Sequence, residues 1–451
     1  MKCQGCGLGA GGLRAAPAAS QADALTRQGH WMSESKPTRT VVVVGAGIVG
    51  VSTALWLLRD GHRVIIVDPN GPAGGTSYGN AGILANSSIV PVTTPGLVKK
   101  VPGMLFNPMG ALFLKWGYLP RLLPWLWRYL SHCRVDEVER IAAALMPIIG
   151  DSVDQHFALA RGTPAERFIE PMDYLYAYED RAAYLKDALA WRIRREHGFE
   201  VHEVEEETLR REEPSLGPGL RFGVRLPGHA WVRDPGAYVQ ALCAHAQEQG
   251  AILKLATVVG FERNDERVLA VQTDQGALAC DDVVLAAGVW SKALAQMLGV
   301  DVPMESERGY HLELFGVTNG PAVPVALAAH KFIATPMDGR LRLAGLVEFG
   351  GLTAPPSEGP YRLLTAQVKV AFPNIDWQSE KRWQGHRPAT TDSIPVVGPL
   401  RDIAGVHMAF GHQHVGLTGG PKTGRIVADV IAGRRPNIDL SPYRAERFSS
   451  L

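Results

Sequence analysis

"VVVVGAGIVGVSTALWLLRDGHRVIIVD", residues 41–68, decides how this chain folds. Val41–Val44 is a β-branched run of the kind that forms a parallel strand buried on both faces. Gly45-Ala46-Gly47-Ile48-Val49-Gly50 follows at once. A helical stretch then leads to Gly61, and a second strand, Val64–Val67, ends in Asp68. Each glycine has a physical role. Gly45 allows the tight turn, Gly47 lets backbone approach a pyrophosphate, and Gly50 lets the helix pack close to the strand. The helix start offers unpaired N–H groups and a positive dipole end to phosphates. Asp68 stands where a carboxylate binds ribose hydroxyls, which argues for an unphosphorylated ribose. Strand, turn, helix and acid-ended strand together predict a dinucleotide-binding domain.

The rest of the composition narrows the class. A chain of 451 residues predicts two or more domains. Lys plus Arg is 46 against 45 for Asp plus Glu, so no basic excess exists to hold nucleic acid. Five thinly spread cysteines argue against a disulfide framework and fit a reducing compartment. Cys3 and Cys6 make one CxxC without the second pair a structural zinc needs, so no metal is expected. Residues 1–37 are rich in Gly, Ala, Ser and Gln and read as a disordered leader without a secretory apolar core. Met32, before "SESKPTRT", is a natural start in its own right, so the residues before it read as an over-extended start or a dispensable leader.

No apolar run approaches the ~20 residues of a membrane span. The nearest, "MLFNPMGALFLKWGYLPRLLPWLWRYL" at 104–130, is broken by Lys115, Arg121, Arg128 and prolines 108, 120 and 124. It reads either as short buried helices or as a peripheral membrane contact through Trp, Tyr and Arg. The expected location is cytoplasmic, with any such contact on the inner face of the cytoplasmic membrane.

A plain NAD domain would continue into another helix and strand. Here "GPAGGTSYGNAGILANS", 71–87, is a loop dense in Gly, Ser, Thr and Asn, able to wrap a longer ligand. Further on, Asp234 reads as an N-cap, Pro235 as N1 and Gly250 as C′ of one helix. A strand with Val258 and Val259 follows, then a hairpin, then a returning strand, Val283–Ala286. "LAAGVW" ends that strand in small residues that let backbone pack near a cofactor. Asp338-Gly339 sits between two strand-like runs and predicts a hairpin. Leu341 and Leu343 alternate with Arg340 and Arg342, which predicts one buried face and one wet face.

Five stretches now stand out: "VVVVGAGIVG", "GTSYGNAGIL", "LAAGVWS", "GHRPATTDSIPVVGP" and "GHQHVGLTGGPKTGRIVADVIAG". With them the chain resembles the FAD-dependent D-amino-acid oxidase superfamily over nearly all but its leader. Within it, the chain is most similar to the bacterial D-amino-acid dehydrogenase branch and its glycine-, sarcosine- and hydroxyproline-oxidising relatives. The resemblance implies an α/β fold, in which a Rossmann-type FAD-binding domain is interleaved with a mixed-sheet α+β substrate domain. Carried onto this chain, the FAD domain comprises 38–90, 220–300 and 385–440. The substrate domain comprises 91–219 and 301–384, and 441–451 is a C-terminal tail.

The resemblance also implies FAD contacts. They fall on the turn (Gly45, Gly47, Ile48, Val49, Gly50), on the acid and its neighbour (Asp68, Pro69), and on the loop (Thr76, Ser77, Asn80, Ala81, Gly82, Ile83). Others fall on Val258 and Val259, and on Ala286, Gly288 and Trp290. The last group is Gly411, His412, His414, Val415, Gly416, Leu417 and Thr418. A substrate carboxylate wants a bidentate, permanently charged partner, and Arg387 matches the family position that binds it. Tyr310 and His311 resemble the pocket wall; Tyr310 would add a hydrogen bond to the carboxylate, and His311 would contact the amine or fill space. His330 lies near a second pocket strand. There Phe332 replaces a common tyrosine, which implies an altered or larger pocket.

The implied activity is oxidative deamination of a D-amino acid. A hydride passes from Cα to flavin N5, the imino acid hydrolyses, and electrons go to a quinone or an electron-transfer protein. No dedicated base is needed. The alternatives are an O2-using oxidase or a dehydrogenase of glycine, sarcosine, D-hydroxyproline or another secondary amino acid, a non-enzymatic flavoprotein, and a colourless NAD-dependent dehydrogenase.

One motif points elsewhere at first sight. Gly416 through Thr423 nearly spells a P-loop, but Pro421 stands where glycine is required, lacks an N–H and cannot take φ > 0. His412 and His414, at i and i+2 on one strand face, lack a third metal ligand. The expectation is a strand, a loop whose glycines 416, 419 and 420 approach the flavin ring, and a helix from Lys422. That helix start would stabilise negative charge near N1 and O2 of the reduced ring.

Overall fold

Val41–Val44 is buried throughout, and its strand, Thr40–Val44, lies in the middle of a six-stranded sheet. The strand order is Val396–Pro399, Val406–Phe410, Asp282–Leu285, Thr40–Val44, Arg63–Val67, Ile252–Lys254. Every neighbouring pair is parallel except the first, which is antiparallel. Alternate valines serve the two faces. Val41 and Val43 pack with the helices Ile48–Arg59, Pro235–Glu248 and Gly416–Ile431. Val42 and Val44 pack with Val268 and Val271 of a three-stranded antiparallel sheet, 258–279. This double burial is why the first strand reads as an unbroken apolar run.

The computed structural model describes residues 38–97, 103 and 112–449. The leader with Cys3, Cys6 and Met32, and the first part of the apolar run at 104–111, lie outside the described residues. Asp234 accepts a hydrogen bond from Ala237 N–H at 3.0 Å and caps the helix Pro235–Glu248.

The second sheet has ten strands of mixed direction. Its longest members are Met304–Phe315, Ser379–Thr390, Phe222–Val232, Ile169–Tyr178 and Arg340–Phe349. Phe222–Val232, from the segment 220–300, runs in this sheet, and Ser379–Thr390 spans the expected boundary between 384 and 385. One face packs on the helix Glu358–Ala371. The Asp338-Gly339 hairpin forms as expected, with Gly339 at φ +72. The wet face predicted for Arg340 and Arg342 does not exist. Arg342 is fully buried and pairs with Glu313 at 2.7 Å. The loop around residues 78–82 covers that face, and Arg342 donates to the carbonyls of Tyr78 (2.7 Å) and Asn80 (2.6 Å).

Candidate active site

The turn after the first strand is built around close approaches. Gly45 has φ +111, and a Cβ there would stand 2.5 Å from the carbonyl oxygen of Ala286. A Cβ on Gly50 would stand 1.9 Å from the carbonyl oxygen of Gly45. Both approaches are to backbone and cannot relax. Ile48 N–H donates to Ser77 Oγ at 3.0 Å, and Ala73 N–H to Ala46 O at 3.0 Å, so the loop after the second strand curls over the turn. Asp68 ends that strand; its carboxylate accepts from Ala46 N–H at 2.9 Å and from Asn70 N–H at 2.8 Å. The loop then reaches the large sheet. Thr76 Oγ1 donates to His386 O at 2.8 Å, Asn80 Oδ1 accepts from Gly82 N–H at 2.8 Å, and Ala81 O accepts from Thr335 Oγ1 at 2.8 Å.

The near P-loop is helical. The helix begins at Gly416, well before Lys422, and Pro421 lies inside it. A Cβ would stand 2.8 Å from Ile148 at Gly419, 2.9 Å from Ile48 at Gly420 and 2.6 Å from Thr53 N at Gly424. Glycines 419 and 420 therefore admit neighbouring helices, which corrects their expected approach to a ring. Pro421 has no N–H for the Leu417 carbonyl, and His156 Nε2 supplies the missing donor at 2.9 Å. That fixes the tautomer, so His156 Nδ1 accepts from Tyr238 O–H at 2.8 Å. Burial pushes His156 down to about 4 and keeps it neutral.

His412 and His414 do not share a strand face. The strand ends at Phe410, and Gln413–Val415 is a 3-10 turn. His412 is buried against Thr423 Oγ1 at 2.9 Å, and burial pushes it down to about 4. His414 keeps an exposed side chain, yet desolvation by the protein around it lowers its pKa, with Glu307 opposing and Arg387 adding. A side chain lining a concave wall behaves this way. No cluster of three or more metal-ligating residues exists among the described residues.

Arg387 lies on the large sheet in register with Glu307; Gly309 pairs with Gly385, and His311 with Trp383. These residues share one face by strand alternation. A Cβ on Gly309 would stand 2.7 Å from Arg387 Cζ, so the guanidinium lies over a bare Cα. Arg387 Nη1 donates to Glu307 Oε1 at 3.1 Å and to Leu346 O at 3.4 Å. Its Nε and Nη2 donate to no protein group among the described residues, which leaves one edge of the fork for an anion. Beside it the His311 ring stacks on Trp383 at 4.7 Å and 17°. His311 Nδ1 donates to Gly79 O at 3.2 Å, and its buried Nε2 has no partner. Burial, then Arg342, pushes this imidazole down to about 3.

A family model described as FAD dependent oxidoreductase matches residues 40–430. The chain belongs to that family. A D-amino-acid oxidase from Bradyrhizobium diazoefficiens is 39% identical over 417 residues, 91% of this chain and 99% of its own. A D-amino acid dehydrogenase 2 from Ralstonia nicotianae is 31% identical over 428 residues, covering 90% and 100%. Among solved structures, an L-proline dehydrogenase from P. horikoshii superposes with a TM-score of 0.70 at 17% identity, covering 92% and 98%. A glycine oxidase from Geobacillus kaustophilus gives 0.67 at 21%, covering 91% and 99%. At those identities the two structures speak for the fold alone.

This FAD-dependent oxidoreductase has residues that fit its cofactor. Gly45 and Gly50 keep the turn pressed against neighbouring backbone, the start of the helix Ile48–Arg59 follows that turn, and Asp68 accepts from Ala46 N–H within it. Pro69 follows Asp68, and Val49 is buried in the first turn of the helix. Ile83 O accepts from Thr418 Oγ1 at 3.4 Å, which joins the loop to the start of the last helix, where Val415 and Leu417 are buried. Ala286 is buried, Gly288 has φ +58 and Gly411 φ +86. Trp290 is half exposed with an edge-on contact to His386 at 5.8 Å. Val258 packs against the core, whereas Val259 is exposed.

Three substrate-site expectations are not brought to Arg387. Tyr310 lies on the opposite face with Leu312 and Leu314, and its hydroxyl donates to Glu348 at 2.7 Å. Phe332 is buried in that same core and does not shape a pocket near Arg387. His330 sits in the turn before Phe332, with Glu179 as its charged neighbour.

Tyr129 comes there instead. The helix Leu119–Ser131 packs Trp125 and Tyr129 inward; Trp125 Nε1 donates to Ala389 O at 3.1 Å and its ring stacks on Tyr129 at 4.5 Å. Burial, then the charge of Glu307, raises the Tyr129 hydroxyl well above its usual value. Half of the segment read as buried or membrane-facing thus walls the site. Leu123 and Trp127 point outward, at 52% and 80% exposure.

Proposed function

We propose that the enzyme oxidises a D-amino acid by removing hydride from Cα and passes the electrons to a quinone or an electron-transfer protein. The free edge of the Arg387 guanidinium, on the sheet face that the Gly79–Gly82 loop covers, carries this reading. The named D-amino-acid oxidase and dehydrogenase relatives support it. Bound FAD supplies the hydride acceptor at N5. Its pyrophosphate is assigned to Gly45–Gly50, its ribose to Asp68, and its ring to residues 80–83 and 414–418.

Arg387 holds the substrate carboxylate and fixes which Cα–H is presented. His311, Trp383 and Tyr78 form an apolar wall that keeps water away. His311 is neutral and deeply buried, so it fills space and orients the Gly79 carbonyl rather than moving a proton. Tyr129 closes the opposite side. The two domains proposed from the resemblance meet at this face.

An anaerobic screen tests the reading. D- and L-amino acids, D-hydroxyproline, sarcosine and glycine are added to the yellow oxidised enzyme, and D-amino acids are expected to bleach it fastest. Failure of every amino acid to bleach the flavin would leave a non-enzymatic flavoprotein. Faster bleaching by sarcosine, glycine or D-hydroxyproline would move the substrate class, and rapid peroxide formation in air would replace the respiratory acceptor by O2.

Among the described residues no helix is long and apolar enough to cross a membrane. Leu123 and Trp127 are the side chains through which we place a peripheral contact with the inner face of the cytoplasmic membrane. Co-sedimentation with anionic vesicles, lost in Trp127→Ala, is the expected result.

A further inference from the structure

Arg387 is not a bare cation. Glu307 lies directly across the antiparallel ladder from it, is 7% exposed, and takes Nη1 at 3.1 Å. Arg387 is the single ion-pair partner of Glu307 among the described residues. The Tyr129 hydroxyl, which is neutral, and the His414 imidazole both feel the charge of this carboxylate. The pair is therefore close to neutral before any substrate arrives. Placing a substrate carboxylate on the free edge of the guanidinium puts two carboxylates on one cation in a partly dry site, where like charges repel strongly.

Only a second positive charge on the incoming molecule relieves that repulsion. An amino acid carries one, the α-ammonium, bonded to the carbon next to its carboxylate. We infer that Glu307 reads the substrate α-ammonium, so that the Arg387–Glu307 pair accepts zwitterions and rejects plain carboxylates. This rests on the assignment of Arg387 to the carboxylate, and it adds a selection rule: the pair discriminates by building a repulsive element against the wrong ligand.

The test compares benzoate, a carboxylate without an amine, with the amino acid that bleaches the flavin fastest. Benzoate binding to the FAD-loaded enzyme is followed by the flavin absorbance difference spectrum. Glu307→Gln is expected to tighten benzoate about tenfold and to raise KM for the amino acid about tenfold, the two moving in opposite directions. Glu307→Asp keeps the charge and is expected to keep the wild-type discrimination within about threefold. Movement of both ligands in the same direction, no movement of either, or loss of discrimination in Glu307→Asp equal to that in Glu307→Gln would overturn the inference. Arg387→Ala separates the two levels. Benzoate binding that survives it removes the carboxylate assignment itself, whereas loss of both ligands in Arg387→Ala with Glu307→Gln unchanged removes only the role of Glu307.

Discussion

The two faces of the strand Met304–Phe315 use the same chemistry for opposite ends. Toward the helix Glu358–Ala371, Arg308 is fully buried and pairs with Glu348 at 2.9 Å. Glu348 also accepts from Tyr310 O–H at 2.7 Å and from Ser357 Oγ–H, and Arg308 Nη2 donates to the carbonyls of Ala354 and Pro355, while the buried Arg308 Nε has no partner. On the other face, Arg387 gives Glu307 one nitrogen and keeps an edge free. Arg308 is sealed from solvent, so its spare donor meets no ligand, whereas Arg387 stays partly accessible and its spare donors can meet one. The difference lies in access and not in residue type.

Substitution at each pair is expected to cost something different. Glu348→Ala leaves Arg308 buried without a counter-charge and should cost about 3–5 kcal/mol of stability. Urea denaturation reads this as a lower midpoint at unchanged slope, and a KM for the amino acid that stays put keeps the two faces separate. Arg387→Ala should weigh mainly on kinetics. It should lower kcat/KM by on the order of 3 kcal/mol, roughly a hundredfold, mainly through KM; the urea midpoint also falls, because Glu307 loses its ion-pair partner, but by less than in Glu348→Ala, since this pair is the more accessible one. Steady-state kinetics equal to wild type would remove Arg387 from the site.

A third test concerns acid. His156, His311 and His412 are held neutral by burial, at about 4, 3 and 4, against about 6.5 unfolded. The unfolded chain then binds more protons as pH falls below 6.5, so stability is full above that value and declines toward pH 4. Glu313 extends the loss: burial alone would raise it, but Arg342 and Arg340 bring it down to about 2. Each histidine contributes at most about 1.4 kcal/mol per pH unit. Chemical denaturation of the FAD-loaded enzyme should show the decline, and a flat profile from pH 7 to 5 would contradict the buried neutral state. The smallest effect is expected for Tyr310→Phe, about 1 kcal/mol of stability with KM unchanged. A raised KM would return Tyr310 to the substrate.

What could be read beforehand follows from the range of each interaction. Strand, turn and helix at 40–67 depend on neighbours in sequence, and the spacing of Gly45, Gly47, Gly50 and Asp68 displays them. The alternation in "ESERGYHLELF" also carries information. Glu307, Gly309, His311 and Glu313 fall on one side and Tyr310, Leu312 and Leu314 on the other, so Tyr310 and His311 could not share a pocket wall. Arg342 was read as wet because arginine in an alternating strand usually is; the loop that covers it comes from far away in the chain. Glu307 beside Arg387, and Tyr129 beside both, are tertiary meetings that no local pattern marks. Pro421 did exclude a phosphate loop, but its consequence, a carbonyl handed to His156, needed the fold.

The packing of Gly424 against Ser52 and Thr53 has a consequence for synthesis on the ribosome. The strand Thr40–Val44 and its helix emerge first, yet the strand Asp282–Leu285 beside them and the helix Gly416–Ile431 against them emerge much later. Through most of translation the nascent chain carries an unpaired valine edge and an uncovered helix, the kind of surface that sticks to other chains. The cradle made first is thus among the last parts completed. Shortening the far end of the chain is therefore expected to damage a site encoded near its beginning.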